Sequence, residues 1–238
     1  SPMNVPNPQD MRLFLLEEME ERKIPNWMAK IRYFHNYLTV EGLLIPFFEP
    51  NDYDVFGTNW AIYKHLKEGL LSLALPQNLR SYIRQIDVDK SEPANNLENM
   101  QAGFRLTSTI KDVDLGLSYF YGFDPMPYFS SFPVKNIEVE GTISGQSVEQ
   151  ELASAVFTNE DIEIEYLRSH TFGTEFETTL GSFGLRGEAV YSDSRTFMTN
   201  SLASTKSPTF FTVLGVDYLG ENEWYANFQL SDQVLLDF

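Results

Sequence analysis

Long stretches of this chain alternate apolar and polar residues with a period of two, and that pattern leaves few folds open. Ala102, Phe104 and Leu106 point one way, and Gly103, Arg105 and Thr107 the other. Past Lys111-Asp112, Val113, Leu115, Leu117 and Tyr119 share a face opposite Asp114, Gly116 and Ser118. Phe183, Leu185, Gly187, Ala189 and Tyr191 oppose Gly184, Arg186, Glu188 and Ser192. Phe210, Thr212, Leu214, Val216 and Tyr218 oppose Gly215 and Asp217. After Gly220-Glu221-Asn222, Trp224, Ala226, Phe228 and Leu230 oppose Tyr225, Asn227, Gln229 and Ser231. Successive side chains of an extended strand leave on opposite faces, so these segments are half-buried strands joined by tight hairpins. Further strands are expected over 27–38 and 39–48, with one long strand over 162–180. The count is about eight to ten strands, an all-β, antiparallel meander.

Helices are expected only in the connections. Met11, Leu15 and Met19 recur at four-residue spacing with Glu17, Glu18, Glu20 and Glu21 on the other faces, which predicts a helix over 9–23, closed by Pro25. A second is predicted over 59–75, ended by Pro76. It lies in the segment 49–97, which is too long for a plain hairpin and is the expected constriction or lid.

Two environments enforce such alternation. A soluble sandwich turns its apolar face inward, whereas a transmembrane barrel turns it to lipid and lines its lumen with polar groups. Three features favour the barrel. The arms of the hairpins at 98–122, 161–195 and 208–236 reach the ten or so residues that a tilted membrane strand needs. The polar face mixes Gly, Ser, Thr, Asn and Gln with opposite charges such as Arg186 and Glu188. Aromatic residues gather at strand ends: Tyr119, Tyr121 and Phe123 close one strand, Tyr191 another, and Tyr218 and Trp224 bracket a turn, as interfacial girdles require. No uncharged apolar run is long enough for a transmembrane helix. With 34 acidic against 17 basic residues, a net charge of −17, nucleic acid is not an expected partner. The absence of Cys removes disulfides, thiolate metal sites and cysteine nucleophiles.

Particular stretches also carry a likeness. Ser1-Pro-Met-Asn, Asn7-Pro-Gln-Asp-Met-Arg12, the acidic segment, Ile24-Pro-Asn-Trp-Met28 and Leu43-Leu-Ile-Pro-Phe-Phe-Glu-Pro50 resemble a proteobacterial family of porin-like outer-membrane barrels, mostly of unknown function. The hairpin from Gly103 to Asp124 with Pro127, and Phe183 to Tyr191, are similar to that family too. The resemblance implies an outer-membrane channel for passive or facilitated uptake of small solutes, hydrophobic or aromatic compounds among them. It also implies that residues 1–238 are one barrel domain or a stretch of a larger one, because members are longer at both ends.

The expected lining of the pore is charged. Lys30, Arg32, Arg105, Asp114, Glu163, Glu165, Arg186 and Glu188 fall on polar faces, and Arg or Lys on a lipid face costs about 2–4 kcal/mol near the midplane. These residues are expected to point inward, as a field that orients solutes or as salt bridges that stiffen the wall. Glu163, Glu165, Glu175 and Glu177 would share a face of the 162–180 strand, but nothing supplies a geometry for acid–base work. His35, His65 and His170 lack metal-ligand spacing, Gly141-Thr-Ile-Ser-Gly145 lacks the spacing of a nucleophile motif, and Asn51-Asp-Tyr-Asp54 is at best half a calcium loop. No catalytic residue, cofactor or metal is expected. The expected partners are the bilayer and a small solute, with a protein partner or a second copy as further possibilities. The competing functions are a plugged structural barrel that binds a partner protein and, third, an outer-membrane hydrolase.

Overall fold

A computed structural model describes residues 7–12, 21–52, 71–72, 77–85, 88–131, 134–135, 156–157, 162–198, 204–220 and 224–237. The described strands are β1 (Ala29–His35), β2 (Leu38–Ile45), β3 (Val88–Ser91), β4 (Gln101–Ile110), β5 (Val113–Phe123), β6 (Tyr128–Ser131), β7 (Val134–Lys135) and β8 (Val156–Phe157). They continue as β9 (Ile162–Glu165), β10 (Arg168–Leu180), β11 (Phe183–Met198), β12 (Ser204–Leu219) and β13 (Tyr225–Leu235). A helix α1 (Gln77–Gln85) precedes β3.

Eight strands form one sheet in the order β1-β2-β4-β5-β10-β11-β12-β13, every neighbouring pair antiparallel. The fold is therefore an all-β antiparallel meander, as the alternation predicts. Among the described residues the sheet is open, with β1 and β13 as its edges; the closed barrel expected from the sequence is not formed by these pairings.

The two ends of the sheet differ. At one end three hairpins turn back within two residues, where His35 pairs Leu38, Ile110 pairs Val113 and Leu180 pairs Phe183, and the fourth within five, where Leu219 pairs Tyr225. Asn36, Lys111, Asp112 and Gly181 have φ of 49°, 48°, 66° and 61° there, the left-handed backbone that a two-residue hairpin demands and that short polar side chains and glycine tolerate best. At the other end lie the long connections 46–100 and 124–167. They meet in a small sheet of order β3-β9-β6, with β3 parallel to β9. Beside it Phe48, Phe123 and Tyr166 are buried together, with the Phe48 ring 5.2 Å from Phe123 and 4.8 Å from Tyr166 between centroids.

That core explains where the sequence reading of 162–180 as one strand fails. Ile164 and Tyr166 are buried at the loop end, Asp124 N donates to Leu167 O at 2.8 Å, and the chain breaks at Tyr166-Leu167 between β9 and β10. Phe123 likewise belongs to this core and not to an exposed girdle. The strands expected over 27–38 and 39–48 are shorter, because the turn at Asn36-Tyr37 and the loop after Ile45 claim their ends. Of the helix expected over 9–23, residues 13–20 lie outside the described ones. Its described ends are not helical: Gln9 bridges Lys23, Asp10 N donates to Arg22 O at 2.7 Å and Ile24 N to Pro8 O at 2.9 Å. The helix expected over 59–75 lies outside the described residues except Leu71 and Ser72, which are helical.

Candidate functional site

The register assigns every strand residue to a face. Between the long connections and the tight turns, one face carries Ile31, Val40, Phe104, Leu106, Leu115, Leu117, Phe172, Phe176, Leu185, Leu214, Val216, Phe228 and Leu230. From the row of Phe104 to the tight turns, Asp232 on the edge strand is its sole Asp, Glu, Lys or Arg among the described residues; Arg168 and Lys206 lie on it nearer the loops. Many of these side chains are open, with Leu117 at 58% and Phe228 at 67% exposure. Phe104, Tyr119, Phe172, Tyr191 and Phe210 stand in one row across neighbouring strands at the loop end. Tyr119 and Tyr191 flank Phe172 with centroids at 5.0 and 6.4 Å. At the turn end Phe183 and Tyr218 pair at 5.0 Å.

The opposite face is polar and charged. Of the residues expected to line a pore, Lys30, Arg32, Arg105, Asp114, Arg186 and Glu188 all lie on it. Glu163 and Glu165 do not: they sit in β9, in the small sheet, where Tyr128 OH donates to Glu165 Oε2 at 2.6 Å. Glu175 and Glu177, on β10, do share the charged face, so the four glutamates form no common site.

Register brings in partners that spacing alone does not reveal. Glu41 on β2 receives Lys30 at 2.8 Å and Arg32 at 2.6 Å. Arg105 on β4 reaches over β5 to Glu175 on β10. Arg186 bridges to Asp217 on β12 at 2.8 Å, and Asp217 also accepts from Tyr225 OH at 2.6 Å and from Asn227 Nδ2. Thr109 Oγ1 donates to Asp114 Oδ1 at 2.5 Å. Two glycines make these flat arrangements possible. A Cβ on Gly116 would collide with the Glu175 carboxylate, and one on Gly215 would lie 3.0 Å from Arg186 Cγ. The charged side chains lie along the wall where the wall has no side chain of its own.

At the loop end this face is covered. Asn7, Gln9 and Met11 line a hollow of about 310 Å³ together with Thr171, Val190 and Thr209 of the sheet. The covering segment is tied to the 49–97 connection. Gln9 N donates to Asn51 Oδ1 at 2.7 Å, Met11 N to Asp52 O at 2.7 Å, and Asp52 N to Gln9 O at 3.0 Å. Asn51 N donates to Pro125 O at 3.1 Å. The polar wall residues Ser192, Ser207 and Thr209 are buried at this end. Among the described residues, then, it is 7–12 that overlies the loop end of the polar face, and Asn51 and Asp52 of the expected constriction serve to hold it.

The two described histidines stand apart. His170 lies on the apolar face, stacked on Tyr121 at 4.4 Å with Tyr119 OH 2.8 Å from its Nδ1; His35 lies at a tight turn, and His65, with residues 53–54 and 141–145, is outside the described residues. Among the described residues no three His, Asp or Glu side chains gather as a metal would need. No family model, curated protein or solved structure matches this chain.

Proposed function

We propose that this chain forms wall of an outer-membrane, porin-like channel through which small solutes pass along the polar face. One observation carries the reading: most of the apolar side chains of the eight strands share one face, many of them exposed, while the ionic pairs sit on the other. A soluble sheet hides its oily face, and exposing hundreds of Å² of it in water is unusual for a monomer. Lipid makes the same face the stable one. The row from Phe104 to Phe210 and the Phe183–Tyr218 pair supply aromatics at both ends of that face. Tyr191 and Phe183 lie about 27 Å apart along β11 at roughly 3.4 Å per residue, or about 20 Å of height once tilted, close to the ~25 Å apolar band of such barrels. Short turns at one end and long connections at the other match the same architecture. In this reading β1 and β13 are paired in the membrane, since hydrocarbon leaves no open sheet edge.

Purified chain added to a planar bilayer is expected to give discrete, ohmic conductance steps whose ion selectivity changes with Arg186→Ala. Absence of steps, with a monomer that stays in solution without detergent, overturns the reading. The covering by 7–12 and Asn51 favours one second reading, a plugged barrel that binds a partner protein; insertion into vesicles without conductance distinguishes it.

A further inference from the structure

Resting on the channel reading, we infer that the Arg105–Glu175 pair is the partition at which solutes moving along the polar face are sorted by charge. Two hollows lie end to end on that face. The loop-ward one, about 250 Å³, is lined by Lys30, Glu41, Ser118 and Thr171; the turn-ward one, about 360 Å³, by Asp114, Glu175, Glu177, Arg186 and Glu188. Of the charged side chains Arg105 alone lines both. It stands between them because its guanidinium crosses β5 to Glu175, lying over the strand where Gly116 and Ser118 leave room. The sign of the wall changes at this point. Lys30 and Arg105 outweigh Glu41 on the loop side, whereas Asp114, Glu175, Glu177 and Glu188 outweigh Arg105 and Arg186 on the turn side. A solute leaving one hollow for the other must pass a guanidinium and a carboxylate in contact, which is where an ion's hydration is most readily replaced or refused.

The test is the reversal potential in a potassium chloride gradient for the full chain and its variants in planar bilayers. Arg105→Ala is expected to raise the cation-to-anion permeability ratio by about fivefold, the weight of one unit charge at contact distance in a watery path; Glu175→Gln is expected to lower it by about as much. Gly116→Ala, which keeps every charge but drives the carboxylate off Arg105, is expected to change conductance more than selectivity. Lys30→Ala, away from the partition, is expected to shift the ratio less than Arg105→Ala. Arg105→Gln, which keeps the side-chain stem over β5, carries the same expectation if the alanine variant does not fold. An unchanged ratio in the Arg105 and Glu175 variants of a conducting channel, or an equal shift from Lys30→Ala, overturns this inference and leaves the channel standing. A wild type that does not conduct overturns both.

Discussion

Tyr128 and Arg168 show how single side chains close the loop end. Burial, then the hydrogen bond to Glu165 and its negative charge, push the Tyr128 phenol up from 10.0 to about 12. The fold thus holds that proton more firmly than the unfolded chain does. The stabilisation is complete below the ordinary tyrosine value and is lost as pH rises through the raised one. In an alkaline absorbance titration of the 12 tyrosines, Tyr128→Phe is expected to remove a late-ionising component, and Glu165→Gln to move it down while burial keeps it above 10.0. At Asp10 the hydrogen bond from Arg12 is the largest cause of a carboxyl held below its usual range, so its contribution is present at neutral pH and lost as pH falls through the lowered value. Arg168 donates to Glu98 O at 2.7 Å and Met100 O at 2.5 Å and lies over the rings of Tyr121 and Phe123 at 4.3 and 5.1 Å. Arg168→Ala leaves two carbonyls without their donor and is expected to cost about 3 kcal/mol in a urea titration. Arg168→Lys recovers little, since an ammonium cannot serve both carbonyls and stack on two rings.

For a strand, the question is what each face costs when it is charged. Leu117→Arg, on the exposed apolar face, is expected to lower folding stability in lipid vesicles by about 2–4 kcal/mol. Thr107→Arg, on the polar face one strand away, is expected to change it far less, with equal costs in the two variants counting against lipid on the apolar side. The faces themselves were legible from the sequence, because a period of two runs through most of each long strand from Gln101 onward, broken in β11 by the bulge after Ser192. What alternation does not contain is register. Arg105 and Glu175 are 70 residues apart, and nothing local says that a guanidinium will cross β5 at Gly116, or that Glu41 will receive both Lys30 and Arg32. Glu163 and Glu165 lie apart from the charged face for a related reason. Their alternation with Ile162 and Ile164 continues in phase toward β10, but burial of Tyr166 against Phe48 turns the chain into another sheet. Lys111-Asp112 reads as a break between strands, yet its type of turn is set by backbone sterics. Asp112→Gly, at a φ of 66°, is expected to stabilise the hairpin by up to about 1 kcal/mol in the same vesicle assay.

Across the whole molecule, tryptophan offers a ruler for how the sheet sits. Trp27, just before β1 at the loop end, and Trp224, just before β13 at the turn end, are 79% and 75% exposed. Both continue the apolar face of their strands, Trp27 in step with Ala29 and Ile31 and Trp224 in step with Ala226 and Phe228. Indole rings favour the headgroup boundary, where a large apolar body and one N–H donor are both accommodated. If the sheet spans a bilayer, these two rings mark its opposite boundaries. With Trp60→Phe as background, single-tryptophan variants that retain either Trp27 or Trp224 are expected to be quenched more by lipids brominated near the headgroup than by lipids brominated at the chain ends. Phe176→Trp, added to a background lacking the other three, places an indole midway between the aromatic row and the turns, and its quenching is expected to show the reverse order. A sheet lying flat on the membrane surface would give shallow quenching at all three positions, and a soluble sheet none. The contrast between Phe176→Trp and the two native rings therefore separates spanning from adsorption, because only an oily face that crosses the hydrocarbon puts its middle deeper than both of its ends.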